Sequence, residues 1–226
     1  MVPRSSDYVE SLKAELAPHA DPEYASQMKA YLRNQFEFLG MKSQFRNELF
    51  KEYFAENGLP EFLLLGPTVD ELYSLEHREF HYFAIELAKR FRKKWTAETV
   101  KLFESMAVRR SWWDTVDYIK SACLKDYFRM FPEGRYEITD RWIRSGNIWL
   151  QRLSVIFQLG YRADTDTRLL KRNIGRLKGS DEFFVQKAIG WALRDYARTD
   201  PDFVRDFVEA NELKPLSRRE AMKHLK

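Results

Sequence analysis

Ser111-Trp112-Trp113-Asp114-Thr115-Val116-Asp117 has two relatives downstream, Asn147-Ile148-Trp149-Leu150-Gln151-Arg152 and Phe183-Phe184-Val185-Gln186-Lys187-Ala188-Ile189-Gly190-Trp191. Aligning Gln151-Arg152 with Gln186-Lys187 gives an offset of 35 residues, and another 35 back from Arg152 lies Asp117. One recurring position therefore reads Asp, Arg, Lys. Phe80, Trp113, Trp149 and Phe184 follow at steps of 33, 36 and 35, and Tyr161 and Tyr196 are 35 apart. Periods of this length are those of stacked helical pairs or triplets, each burying one face against its neighbours.

Local signals agree. Pro and Gly are sparse and fall mostly between periodic segments. Asp21-Pro22 and Asp200-Pro201 each read as an N-cap followed by Pro at the first helical position. Thr68-Val69-Asp70-Glu71 and Ser217-Arg218-Arg219-Glu220 fit the capping-box pattern. Leu72, Leu75, Phe80, Phe83, Ala84 and Leu87 are apolar at helical spacing, with a break near Glu76. No useful strand alternation and no Asn-Gly or Asp-Gly hairpin turn occurs. The stretches around Asn57-Gly58-Leu59-Pro60 and Ala163-Asp164-Thr165-Asp166 read as connectors, and neither reads as an interdomain linker. The expectation is an all-α, curved α-solenoid of HEAT-like repeats, one domain over residues 1–226, with a concave face.

Composition narrows the function. The 226 residues carry a net charge of +4 and a pI of about 9.0, mildly basic, which permits a nucleic-acid partner without requiring one. The single cysteine, Cys123, excludes an intrachain disulfide. No apolar run approaches the ~18–20 residues of a membrane span. Met1-Val2-Pro3-Arg4-Ser5-Ser6 leads into a charged amphipathic stretch without a signal-peptide core. The expected compartment is a reducing cytosol. His77 and His81 are four apart, but no third ligand accompanies them, so no metal site is expected. No phosphate-cradling glycine loop and no Gly-x-Ser-x-Gly nucleophile motif is present. Basic runs at Lys89–Lys94, Arg109-Arg110, Arg168–Arg172 and Arg218-Arg219 read either as solvated faces or as a track for a phosphate backbone.

Trp113 and Asp117 are four apart and share a helix face, as do Lys187 and Trp191. Arg152 falls at the matching level between them. An aromatic stripe at helical spacing is most often core, and Trp112, Trp142 and Trp149 read equally well that way. Asp117 alone reads as a surface charge or as an ion-pair partner of Arg152. The coincidence of carboxylate, guanidinium and indoles at equivalent repeat positions is what a ligand groove adds to packing.

Ser-Trp-Trp-Asp-Thr-Val-Asp, Asn-Ile-Trp-Leu-Gln-Arg and Phe-Phe-Val-Gln-Lys-Ala-Ile-Gly-Trp-Ala-Leu-Arg resemble the motifs of the AlkD-type family of bacterial DNA alkylation-repair glycosylases. The resemblance runs from Tyr31-Leu32-Arg33-Asn34 and Phe38-Leu39-Gly40 to Ser217-Arg218-Arg219-Glu220-Ala221 and covers nearly the whole chain. It implies a HEAT-like fold, a concave DNA-binding surface, and excision of cationic N3- and N7-alkylated purines (3-methyladenine, 7-methylguanine) from duplex DNA, as the first step of base excision repair. It places the catalytic carboxylate at Asp117 and the flanking indoles at Trp113 and Trp191. It places DNA contacts at Arg152, Lys187, Tyr31 and Lys42, with Arg152 on a backbone phosphate. It implies no cofactor and no metal. A monomer in the bacterial cytosol, nucleoid-associated through DNA, is expected. Where the family reads Gly, an aliphatic residue, two variable residues and Pro, this chain has Gly40-Met41-Lys42-Ser43-Gln44: the proline is missing, and Lys42 replaces a polar amide.

One carboxylate suffices for that chemistry. Glycosidases acting on neutral leaving groups commonly use two carboxyls. A cationic alkylpurine departs as a neutral base without protonation, which leaves one carboxylate to oppose the developing sugar cation and direct water. No activated amine is evident in the sequence, so a monofunctional enzyme leaving an intact abasic strand is expected. The alternative is a non-catalytic helical-repeat protein that recognises damaged or branched DNA. A protein–protein scaffold, a common role of α-solenoids, is a third reading that the clustered cations disfavour.

Overall fold

The computed structural model describes residues 5–225; the start of the leader reading, Met1–Arg4, lies outside them. The regular structure of the described residues is helical, joined by short turns and loops, and apart from the isolated bridge Glu37–His77 they form no β-structure. The all-α expectation is met. The chain divides between Thr96 and Ala97 into two compact units.

The first unit contains α1 (Ser5–Leu16), α2 (Pro22–Tyr31), α3 (Ser43–Asn57), α4 (Leu65–Ser74) and α5 (Arg78–Arg90). Asp21 caps α2 by accepting from Tyr24 N, with Pro22 at the first helical position. The break expected near Glu76 separates α4 from α5. The core gathers on Phe83, whose ring meets Tyr8, Phe50, Tyr53 and Phe54 at centroid distances of 4.7–6.4 Å. The hydroxyls on this core are not orphaned: Tyr53 donates to Tyr8 O and Tyr8 donates to Gly58 O. Glu79 is fully buried, and its carboxylate accepts from Leu39 N, Gly40 N and, more weakly, Met41 N at 2.9, 3.0 and 3.4 Å. Gly40 has φ +97°, and a Cβ there would stand 2.0 Å from Asp21 O, so only glycine fits this turn.

Both capping-box readings fail. Thr68 lies inside α4 and is fully buried, because α4 starts three residues earlier, at Leu65. Ser217 lies inside the last helix, Pro215–Ala221, where its hydroxyl donates to Gln186 O. In each case the Ser/Thr-x-x-Glu spacing matched a register that tertiary packing used otherwise. His81, half of the histidine pair, is buried. Its Nδ1 meets Arg78 Nη1 at 3.2 Å, its Nε2 meets Leu75 O at 3.0 Å, and its ring stacks on Tyr73. Among the described residues no group of three or more His, Cys, Asp or Glu is placed to hold a metal.

The second unit begins with α6 (Val100–Val108) and α7 (Trp113–Ile119), which runs through a π-helical turn, Lys120–Leu124, into α8 (Lys125–Met130). It continues with α9 (Arg135–Arg144), α10 (Ile148–Ile156), α11 (Thr167–Leu177), α12 (Phe183–Tyr196), α13 (Pro201–Ala210) and α14 (Pro215–Ala221). Asn147, Asp166 and Asp200 cap α10, α11 and α13 through their side chains, as short polar residues at these positions do. The repeat period reappears as contacts. Gly160 N donates to Asp195 across 35 residues, Tyr161 hydroxyl to Lys125 O across 36, and Arg172 to Tyr136 O across 36. These bonds join equivalent levels of successive units, which is how a helical-repeat stack is held. Trp142 and Trp149 are core, with Trp142 Nε1 donating to Glu104 at 2.6 Å.

Candidate nucleic-acid interface and active site

Asp117 stands on the last turn of α7. Arg152, on α10, donates along one edge of its guanidinium to both carboxylate oxygens: Nε to Oδ1 and Nη2 to Oδ2, each at 2.9 Å. The third guanidinium nitrogen, Nη1, donates to Phe184 O of α12 at 2.9 Å. The 35-residue register read from the sequence is thus a direct contact. The ion pair weighed there as the plainer reading of Asp117 is what forms. A bidentate arginine fixes the orientation of a carboxylate.

The pair is unequally exposed. The Asp117 side chain keeps 21% of its surface, that of Arg152 only 6%. Sequence reading set Arg152 against a DNA phosphate; here its guanidinium is turned inward and engaged by the protein. Asp117 is the partner that solvent or a ligand reaches.

Indoles border the pair. The Arg152 guanidinium carbon lies 5.7 Å from the Trp191 ring centroid, within the range where a cation is attracted to the ring. Trp113 begins α7, one turn before Asp117, and is half-buried like Trp191. On the other side Trp112, Trp149 and Phe184 form a wall, with centroids 5.8 Å apart for Trp112–Trp149, 5.3 Å for Trp112–Phe184 and 4.8 Å for Trp149–Phe184. This packing holds Phe184 so that its carbonyl meets Arg152. Trp112 Nε1 is buried and has no hydrogen-bond partner among the described residues.

Lys187 sits one turn before Trp191 on α12 and is partly exposed. Its ammonium pairs with Glu220 of α14 at 3.1 Å, and Arg194 pairs with the other Glu220 oxygen at 2.6 Å. The Lys187 hydrogen bond, chiefly, holds the Glu220 carboxyl below its ordinary range. Gly190 makes room for this docking, since a Cβ there would meet Glu220 Cβ at 2.4 Å. Tyr31 and Lys42 belong to the first unit. Tyr31 ends α2 with 73% of its surface exposed; Lys42 precedes α3, exposed, with its ammonium 5.8 Å from the Tyr24 ring.

Sequence reasoning missed two participants. Glu220 was read as half of a capping box. Lys120, three residues after Asp117, was passed over although helical spacing puts it on the same face. Its amino group lies 5.1 Å from the Trp191 centroid. Burial, above all, pushes its ammonium below the ordinary lysine range.

A family model described as DNA alkylation repair enzyme matches residues 12–225, through both compact units. A solved structure, a predicted DNA alkylation repair enzyme from Enterococcus faecalis, superposes with a TM-score of 0.84 at 31% identity, over 91% of this chain and 96% of that one. Among curated proteins none matches. No helix among the described residues is long and apolar enough to cross a membrane. With its helical fold matched over nine-tenths of its length and the family model spanning residues 12–225, the chain belongs to the DNA alkylation repair enzyme family.

Proposed function

We propose that the protein is a monofunctional DNA glycosylase that hydrolyses the N-glycosidic bond of cationic N3- and N7-alkylpurines in duplex DNA and leaves an abasic strand. The observation that carries this reading is a partly exposed carboxylate, Asp117, clamped by a buried arginine beside a half-buried indole in a member of this family. Three properties of that arrangement matter.

First, Arg152 holds the Asp117 carboxylate fixed, so its free lone pairs are preorganised toward the sugar and the attacking water; preorganised charge is typically the largest catalytic term. The guanidinium offsets part of the carboxylate's field, so orientation of water carries the larger share. Second, the faces of Trp113 and Trp191 attract a cationic base or sugar by ~0.5–2 kcal/mol each. Third, the leaving group brings its own positive charge, so no second carboxyl is needed as acid. Lys187, Tyr31 and Lys42 serve as DNA contacts, by charge or by stacking. Arg152 acts first on Asp117, and the salt dependence described below separates that role from a phosphate contact. The protein acts as a monomer on chromosomal DNA in the bacterial cytosol.

Incubation with a duplex containing 7-methylguanine, followed by assay for free base and abasic sites, tests the reading. Release by the native chain, unaffected by EDTA and lost in Asp117→Asn, is the expected result. Duplexes carrying uracil, hypoxanthine or 8-oxoguanine release nothing above background, because those bases need protonation to leave. DNA binding without release would favour the alternative, a non-catalytic reader of damaged or branched DNA.

A further inference from the structure

Lys120 is a charged group on the Trp191 ring that the proposed chemistry does not use. It opens the π-helical turn that follows α7, and a π turn inside an α-helix shifts the register of the side chains around it. Its amino group and the Arg152 guanidinium carbon lie 5.1 and 5.7 Å from the same ring, that of Trp191. An indole already serving two cations has little left for a third, and the third is repelled by both.

Four charged groups face Lys120. Asp117 on α7 and Asp195 on α12 favour its ammonium; Lys125 on α8 and Arg152 on α10 oppose it. Burial opposes it most, and the balance lies below the ordinary lysine range. The charged form is therefore less favoured here than in water, although the Trp191 ring and two carboxylates hold it.

Resting on the glycosylase reading, we propose that Lys120 is a specificity-determining residue of this site: its amino group holds the Trp191 ring while the site is empty, and a cationic nucleobase or sugar enters only as that amino group gives the ring up. The sign of the pH dependence follows. Lys120 is charged below its lowered pKa, so the obstruction is complete at low pH and lifts as pH rises through that value. Lys120→Met keeps the apolar stem and lifts the obstruction at every pH. Lys120→Arg makes it permanent, since a guanidinium does not titrate.

The test uses the full chain and both variants, with Lys120→Gln as a second neutral variant should the methionine fail to fold. Two measurements are made across a pH series that climbs from neutrality toward the ordinary lysine range, above the range where carboxylates titrate. One is single-turnover release of 7-methylguanine. The other is the affinity for a duplex bearing a cationic pyrrolidinium abasic-site mimic, relative to one bearing a neutral tetrahydrofuran. We expect native preference for the cationic mimic, and native release, to rise with pH. Lys120→Met should show a flat profile and about tenfold higher preference and rate at the acid end, the scale of removing one nearby like charge. Lys120→Arg should stay at the native acid-end level at every pH. Equal preference and identical pH profiles in native and Lys120→Met chains would overturn the proposal, as would an equal loss of affinity for both duplexes, the signature of a phosphate contact. The expected shift in mimic preference with no base release from any chain would support the role of Lys120 and refute the glycosylase reading.

Discussion

Glu79 and Asp117 are both carboxylates withdrawn from bulk water, and they meet opposite fates. Glu79 in the first unit is wholly buried and accepts three backbone N–H groups from the 39–41 turn. Asp117 in the second unit is paired with one guanidinium and keeps about a fifth of its side-chain surface. An ionised carboxylate has about four acceptor sites. Glu79 has spent nearly all of them where water cannot arrive. Asp117 has spent two on one guanidinium and stays partly open to solvent. Burial and charge alone do not make a site; spare acceptor capacity at the surface does.

The comparison can be broken most directly at Glu79. Replacing it with alanine leaves three backbone donors unpaired, two of them buried, and at ~1–3 kcal/mol each the cost should approach ~4 kcal/mol after partial relaxation. Chemical denaturation should show that loss, while the single-turnover excision rate of DNA-bound, folded protein is retained. A variant as stable as the native chain would mean that the turn finds other acceptors.

At Asp117 the loss should fall on chemistry instead. Asp117→Asn keeps shape and removes charge, and should slow excision at least about a hundredfold, ~3 kcal/mol in barrier, with DNA affinity intact or slightly improved. Near-native single-turnover release would remove Asp117 from the mechanism.

Arg152→Ala joins the two behaviours. Breaking a fully buried ion pair costs ~3–5 kcal/mol, and the exposure of Asp117 lowers the expected stability loss to about 2. Excision should fall with it. The dependence of DNA affinity on salt should change little, because the guanidinium is spent inside the protein. A slope reduced by about one unit would instead restore the phosphate contact read from the sequence.

The smallest effect belongs to Lys187→Ala. A partly exposed lysine already paired with Glu220 should contribute a few-fold in affinity and about one unit of salt slope if it meets a phosphate. Glu220, relieved of its chief hydrogen bond, should titrate nearer its ordinary range. Its depressed carboxyl stabilises the fold above the unfolded-state pKa, and that contribution is lost as pH falls through the folded one. The variant should therefore lose less stability on acidification, as thermal unfolding against pH would record.

Much of this molecule is legible in its residues alone. Helical periodicity and short polar caps such as Asp21 and Asp200 are local properties, and the structure honours them because nothing distant competes. The 35-residue register of Asp117 and Arg152 was legible too, since a repeated unit puts equivalent positions at equivalent levels. What the sequence did not determine is what those side chains touch. It marked Ser217 and Thr68 as helix starts; packing put both inside helices. It paired His77 with His81 by spacing; burial turned His81 onto Arg78 and Leu75 O. It set Arg152 toward DNA; the position of Phe184 O and the Asp117 carboxylate, contributed by two other helices, turned it inward. Spacing along one helix fixes direction around that helix. Which groups meet there depends on how helices distant in sequence are packed, and only the tertiary structure decides that.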